Sequence, residues 1–222
     1  MEKKLVVAID GPAGAGKSTV AKLAAEKLGF TYIDTGAMYR AVAWKTLQQG
    51  KPVTDELILE VVKDIDVNLA YTDGQTKVTV DGTDVSTAIR TPEVSKIVSQ
   101  VAALGPVRVK MVDLQRQMAK RGSVLMDGRD IASHVLPDAE VKIFLTASIE
   151  ERAHRRWLEL QEKGYDITLE QLQKDIAARD KADSEREISP LVQVKEATLL
   201  DTTGLSIDEV VKRILELCGE KA

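Results

Sequence analysis

Residues 11–18 read Gly-Pro-Ala-Gly-Ala-Gly-Lys-Ser, a full match to the pattern G-x-x-x-x-G-K-[ST]. No other run constrains the chain as strongly, because the pattern requires a strand before it and a helix after it. Both are legible. Residues 5–9 form an unbroken apolar run, and beyond Gly16 the residues Val20, Leu23, Ala24 and Leu28 fall on one helical face. In that context the run predicts a loop that cradles phosphate. Gly11, Gly14 and Gly16 allow the tight turn that aims backbone N–H groups at phosphate oxygens. The helix end adds its partial positive charge. Lys17, read as an exposed loop lysine, reaches the β- and γ-phosphates, and Ser18 offers a hydroxyl to Mg²⁺. Pro12, Ala13, Ala15 and Thr19 complete the predicted nucleotide-binding stretch.

Such a loop does not identify the group that accepts the phosphate, so the rest of the chain must be read for it. Short apolar runs at 31–33, 124–126, 141–145 and 198–200 match the pattern of strands buried on both faces of a parallel sheet. Each precedes a helix signal. Ser148-x-x-Glu151 and Ser206-x-x-Glu209 read as capping boxes. The last helix carries Ile207, Val210, Val211, Ile214, Leu215 and Cys218 at helical spacing. The alternation predicts a doubly wound α/β core. Between about 65 and 105 it breaks. Residues 67–71 and 77–81 alternate like strands around a turn at Asp73-Gly74, a second turn follows at Asp81-Gly82, and Thr91-Pro92 opens a helix with Val94, Ile97, Val98 and Val101 on one face. This is a small α+β insertion.

Composition narrows the function. With 35 acidic against 31 basic residues the net charge is −4, and aromatics make up 4%. Neither suits a polymeric nucleic-acid binder. The single cysteine, Cys218, fits a reducing compartment and lies on an apolar stripe, as buried filler. No stretch has the length of a membrane span or of a signal-peptide core. The expectation is a cytoplasmic protein.

Two further polar sites fall at strand C-termini, where open α/β sheets bind ligands. In Asp34-Thr35-Gly36-Ala37-Met38-Tyr39-Arg40, Thr35 either caps the next helix or gives its hydroxyl to a ligand phosphate, and Arg40 follows about one turn later. In Asp127-Gly128-Arg129-Asp130, Asp127 is placed to organise Mg²⁺, Arg129 to clamp phosphate, and Asp130 to accept from a donor group. After a helix predicted over 169–178, residues 179–190 mix charges of both signs. They read either as a solvated loop or as an arginine-bearing lid that excludes water from a transfer reaction.

Taken together the motifs resemble the nucleoside monophosphate kinases, and within them the bacterial cytidylate kinases. The residues that carry the resemblance are GPAGAGKST at 11–19, DTGAMYR at 34–40, SQVAA at 99–103, Val107-Arg108, DGRD at 127–130, VKIFLTAS at 141–148 and ERAHRR at 151–156, with Arg179, Asp183 and Arg186 beyond. Adenylate kinases would show DGFPR-like text where this chain has DGRD. The resemblance implies a P-loop kinase fold with a five-stranded parallel sheet (1–64, 106–150 and 191–222), a monophosphate-binding insertion (65–105) and a helical lid (151–190). It implies transfer of the γ-phosphoryl group of ATP to CMP, and to dCMP, with Mg²⁺, by a monomer. Thr35, Arg40, Arg129 and Arg186 correspond to groups around the CMP phosphate, Ser99, Arg108 and Asp130 to cytosine readers, and Arg179 and Asp183 to groups near the ribose or the phosphates. Lys17, Arg129, Arg179 and Arg186 would carry the catalysis, and Arg152 and Arg156, four apart on one helix face, would serve ATP. The alternatives are a kinase for UMP, shikimate or dephospho-coenzyme A, a GTPase-like switch, and a nucleic-acid remodeller. A switch would need an Asn-Lys-x-Asp segment, which does not occur in the sequence.

Overall fold

The computed structural model describes residues 4–72 and 75–220. In chain order, β1 (Val6–Asp10), α1 (Lys17–Leu28), β2 (Thr31–Asp34), α2 (Thr35–Leu47) and α3 (Asp55–Asp64) come first. Next are β3 (Val67–Thr72), β4 (Gln75–Val80), β5 (Thr83–Asp84), a 3-10 turn at Ala88–Arg90, α4 (Pro92–Ala103) and α5 (Gly105–Ala119). The chain finishes with β6 (Val124–Gly128), a π-helical turn at Ile131–Val135, β7 (Val141–Thr146), α6 (Ile149–Glu162), α7 (Leu169–Glu185), β8 (Thr198–Asp201) and α8 (Ile207–Gly219).

The core is a five-stranded parallel sheet in the order β2-β6-β1-β7-β8. Alternate residues of a strand face opposite sides. Val7 and Ile9 of β1 therefore pack with Ala21, Ala24, Val210 and Ile214 under α1 and α8. Ala8 faces the other way, with Met126, Val112 of α5 and Ile131 of the π-helical turn. Helices on both faces make the sheet doubly wound, and its inner strands are mostly apolar for that reason, with Asp10, Asp34 and Asp127 at their C-terminal ends. The edge strand β8 departs from the expectation of burial on both faces, since three of its four residues are exposed. Cys218 is buried in the α1/α8 layer, where burial pushes its thiol up to about 11.

The antiparallel sheet β3-β4-β5 follows the predicted pairing, while the turn expected at Asp73-Gly74 lies outside the described residues. Val67, Val78 and Val80 share one apolar cluster with Met38 and Val42 of α2, Ile58 of α3, Val98 of α4 and Met111 of α5. The small sheet is thereby tied to the helices that flank the main cleft. Thr91 caps α4 by accepting from Val94 N–H, with Pro92 in the first turn.

Three local expectations are corrected. The run at 124–126 is followed by a five-residue π-helical turn rather than a full helix. At α6 the Ser148 hydroxyl accepts from Glu151 N–H, but the Glu151 carboxylate pairs with Arg155 at 2.8 Å, one turn on, so the capping is one-way. The full capping box forms only at Ser206 and Glu209. Finally, α7 does not stop at 178 but runs to Glu185, so more than half of the charged segment 179–190 is helix. No helix among the described residues is long and apolar enough to cross a membrane.

Candidate active site

The phosphate loop joins β1 to α1. Gly11 has φ 149°, and a Cβ there would stand 1.9 Å from the Leu145 carbonyl oxygen, so only glycine lets the loop lie against β7. Gly16 caps α1 in the left-handed region at φ 83°. Lys17 is not exposed. It is 5% accessible, and its Nζ donates to the Pro12 carbonyl at 2.7 Å. Burial, followed by the charge of Arg129, holds its ammonium pKa well below the ordinary lysine value.

The next residues of the loop are held by α6 and α7. Asp180 of α7 accepts from Ala13 N–H at 3.3 Å and pairs with Arg152 at 2.6 Å. Arg152 also donates to the Ala13 carbonyl at 2.8 Å and to the Ala147 carbonyl at 2.9 Å. Arg152 is thus buried and committed to the loop backbone, whereas Arg156, on the same helix, pairs with Glu159 at 2.6 Å.

Beside the loop, Asp127 at the end of β6 accepts from Ser18 Oγ at 2.9 Å and from Tyr32 Oη at 2.7 Å. Burial and the nearby Asp34 push its carboxyl up to about 6. A buried carboxylate next to a serine hydroxyl is a hard, oxygen-only donor set, which fits a Mg²⁺ ion that takes its remaining ligands from phosphates and water. Among the described residues there is no cluster of three His, Cys, Asp or Glu side chains that could hold a metal alone.

A cleft adjoins this region. Thr35, Gly36, Tyr39, Val98, Ser99, Ala102, Arg108, Gly128, Arg129, Asp130, Arg179, Asp183 and Arg186 line it. At one end Arg108 is 2% accessible, forms an ion pair with Asp130, donates to the Ala102 carbonyl at 3.2 Å, and lies 5.6 Å over the Tyr39 ring. Arg186 stands 3.4 Å from the other Asp130 oxygen and donates to the Ser189 carbonyl at 2.6 Å. In the middle, Asp183 accepts from Arg129 Nε at 2.8 Å and from Ser99 Oγ at 3.3 Å. Burial works against the Asp183 carboxylate, yet Arg129 and Arg179 hold its pKa below the ordinary range.

Toward the phosphate loop the cleft is electropositive. Burial, then Arg129, brings the Arg179 guanidinium down to about 10. Arg40 does not itself line the cleft; it donates to Ser95 Oγ at 2.8 Å and to the Ile89 carbonyl at 3.4 Å, and burial with the charges of Arg179 and Arg90 brings it down to about 9. Buried cations gathered near one another, still charged at neutral pH, form a receptor for an anion. Thr35 is the first residue of α2, not its cap. Its hydroxyl donates to the Asp127 carbonyl at 2.7 Å, and the capping group is Asp34, which accepts from Ala37 N–H at 2.9 Å. Both are good capping residues, and the chain direction into β2 decides which one serves.

Sequence reasoning missed Asp10, Arg90 and Asp180, and it named Asp34 and Tyr39 only as members of the 34–40 motif, without a role. Asp34 pairs with Arg90 of the insertion at 2.6 Å. Asp180 stands next to a residue that was singled out, Arg179, but its partners lie in a distant loop. His154 stacks on Trp157, with ring centroids 6.2 Å apart, and Trp44 packs on the apolar cluster of α2, so neither tryptophan enters the site.

Comparison with known proteins gives three findings. The model of the family described as "Cytidylate kinase" matches residues 7–220. A cytidylate kinase of Bacillus subtilis (strain 168) is 55% identical over 223 residues, covering 100% of both chains, and one of Desulfitobacterium hafniense (strain Y51) is 54% identical, covering 100% of this chain and 95% of the relative. Among solved structures, an uncharacterized protein from Eubacterium ventriosum ATCC 27560 superimposes with a TM-score of 0.55 at 14% identity, covering 98% of this chain and 99% of that one, and shares the fold.

Proposed function

The chain belongs to the cytidylate kinase family, ATP-dependent phosphotransferases that convert CMP to CDP, and on that premise we propose how its residues divide the work. The observation that carries the proposal is that the Arg108–Asp130 pair and the Arg129, Arg179 and Arg186 side chains line one cleft beside the phosphate loop. One end reads a base and the other holds a phosphate.

Cytosine presents an amino donor at C4 and acceptors at N3 and O2. Asp130 accepts from the amino group, and Arg108 donates to the ring acceptors, with Ser99 assisting. Uracil would turn its O4 carbonyl toward Asp130, acceptor against acceptor. Thr35, Arg40, Arg129 and Arg186 hold the CMP phosphate, and Arg179 and Asp183 stand by the ribose and the transferring group. Lys17 leaves the Pro12 carbonyl for the β- and γ-oxygens of ATP, and the amides of residues 11–19 cradle the polyphosphate. Arg156 lies closer to solvent on the ATP side, and Arg152 serves ATP indirectly, by fixing the Ala13 backbone. Ser18 and Asp127 would hold Mg²⁺, which neutralises charge on the ATP oxygens when bound.

In the transfer, a CMP phosphate oxygen forms a bond to the γ-phosphorus as the bond from that phosphorus to the β-bridging oxygen breaks, releasing ADP. No general base is required, because the attacking oxygen already carries its charge. The arginines bring two mutually repelling anions to attack distance, and the region 151–190 acts as the lid that excludes water. The insertion at 65–105 closes over CMP. We take the working unit to be a cytoplasmic monomer, and its single buried thiol suits a reducing compartment.

The test is kcat/KM for CMP, dCMP, UMP and AMP in wild type and in Asp130→Ala. CMP should exceed UMP by about 10- to 1000-fold, dCMP should be accepted, and the CMP/UMP ratio should shrink in the variant. Equal use of CMP and UMP by wild type would overturn the base-reading role of Asp130.

A further inference from the structure

Asp10 takes no part in the transfer as described, yet it stands where the donor and acceptor halves of the site meet. It is the last residue of β1 and directly precedes Gly11 of the phosphate loop. Its backbone is held on both sides, paired with Gly128 of β6 and with Phe144 of β7. The side chain is 2% accessible and points across to the acceptor loop. There Oδ1 accepts from Ile131 N–H and Oδ2 from Ala132 N–H, both at 2.8 Å. These are the first two amides of the π-helical turn, groups that have no partner within the turn itself. The turn closes back on the residue before it, since His134 N–H and Val135 N–H both donate to the Asp130 carbonyl, at 2.9 Å and 3.0 Å.

We propose that Asp10 is a positioning residue for base selection, fixing through the 131–135 turn the direction in which Asp130 meets Arg108 and the incoming base. The inference rests on the reading of Asp130 as the cytosine reader. Asp130 is gripped on its N-terminal side by β6, ending at Gly128, and on its C-terminal side by a turn whose first two amides are clamped by one carboxylate. A carboxylate with two acceptor oxygens grips two adjacent N–H groups at once, and the bonds are strengthened by its charge. A single anchor would leave the turn free to pivot. A displacement of about 1 Å in a specificity group is enough to lose most of its discrimination.

Asp10→Asn tests this sharply. Asparagine has the same shape but only one acceptor, and its amide would face the second N–H donor to donor. Steady-state kinetics should be measured with CMP, UMP and ATP varied in turn. The expected result is a fall of about 10- to 100-fold in kcat/KM for CMP, a smaller fall for UMP, a reduced CMP/UMP ratio, and a KM for ATP within about threefold of wild type. A purely structural role would lower the melting temperature and reduce CMP and UMP turnover in the same proportion, and an unchanged ratio would overturn the proposal. A wild type that does not discriminate CMP from UMP would instead sink the role of Asp130. Hydrogen exchange in wild type gives a reading that needs no variant. CMP should slow exchange at Ile131 and Ala132 more than UMP at equal occupancy, and equal protection by the two nucleotides would overturn the proposal even if Asp10→Asn failed to fold.

Discussion

Lys17 Nζ donates to the carbonyl of Pro12, five residues back in the same loop, at 2.7 Å, and both groups are buried. The lysine is thus kept close to its place of work by a backbone oxygen of the loop it serves. Asp180 and Arg152 close over the neighbouring Ala13. This explains why a residue that reads as an exposed loop lysine is 5% accessible.

A buried cation with one neutral partner adds little to stability, because its desolvation opposes its contacts. Lys17→Met should therefore leave the melting temperature unchanged or raise it. Turnover should fall about 10²- to 10³-fold, since the charge Lys17 meets grows in the transition state. Calorimetry and a coupled ADP-release assay on the same preparation check both halves. Turnover within about threefold of wild type would remove Lys17 from the mechanism.

Asp183 behaves in the opposite way. Buried at 4% accessibility, it accepts from Arg129 and lies in the field of Arg179 and Arg186. Asp183→Ala would leave these guanidiniums facing one another without their carboxylate. Loss of about 3 kcal/mol of unfolding free energy is expected in urea titrations, the scale for removing one partner of a buried pair. A loss below about 1 kcal/mol would mean that the cluster is solvated more than its burial implies.

How far the sequence carried the description depended on what each segment packs against. The five parallel strands were legible to within one or two residues, since runs such as Val124, Leu125 and Met126 have no polar alternation to blur them. The end of α7 was not. Its last two turns, Arg-Asp-Lys-Ala-Asp-Ser-Glu at 179–185, have no apolar stripe, because the inward face is made of Arg179 and Asp183, four residues apart and turned into a polar cleft. Periodicity in apolar residues cannot find a helix that packs through charges. The same holds for Asp10, Asp34 and Asp180, each of which has a backbone amide or an arginine as a partner far off in the chain, from 56 to 167 positions away. Thr35, Arg129 and Asp130 were legible as polar residues at strand ends, Ser99, Arg108, Arg179, Asp183 and Arg186 were singled out by resemblance to the cytidylate kinases, and the pairing of Arg108 with Asp130 and of Arg129 with Asp183 came from the structure.

Stability of the ligand-free enzyme should decline as pH rises from about 4 to about 6.5. Burial lifts the carboxyl of Asp10 from 3.8 to about 6 in the folded state. A carboxyl whose folded pKa is raised holds its proton more tightly folded than unfolded. Its stabilising contribution is therefore complete below 3.8 and lost as pH rises through about 6. At about 1.4 kcal/mol per unit, the effect is on the order of 3 kcal/mol. Asp183 has a depressed pKa, so it responds below this window, where its contribution is lost as pH falls. Urea unfolding from pH 4 to 7 in wild type and Asp10→Asn checks the assignment. The free-energy difference between the two proteins should change across the window, and a constant difference would show that Asp10 does not titrate there.

The last prediction concerns the cations that face the phosphate end. Arg179 and Arg40 are brought down to about 10 and about 9, first by burial and then by other arginines. Their mutual repulsion is a cost carried by the empty site and relieved by an anion. Inorganic phosphate, compared with chloride at equal ionic strength, should raise the melting temperature, and CMP should do so more strongly than cytidine. At a hundred times its dissociation constant a ligand adds about 2.7 kcal/mol. For a chain of this size that is a shift of about 5–10 °C. Arg179, whose Nε is buried without a hydrogen-bond partner among the described residues, offers the discriminating variant. Arg179→Met removes a repelling charge, so the ligand-free protein should melt at the same temperature or higher. The phosphate-induced shift should shrink, and turnover should fall with it, because the strain that destabilises the free enzyme is what binds the anion. Melting curves with and without phosphate, alongside kcat for CMP, test the three effects together. A variant that is less stable when free yet keeps the full phosphate shift would show that Arg179 holds the fold rather than the phosphate.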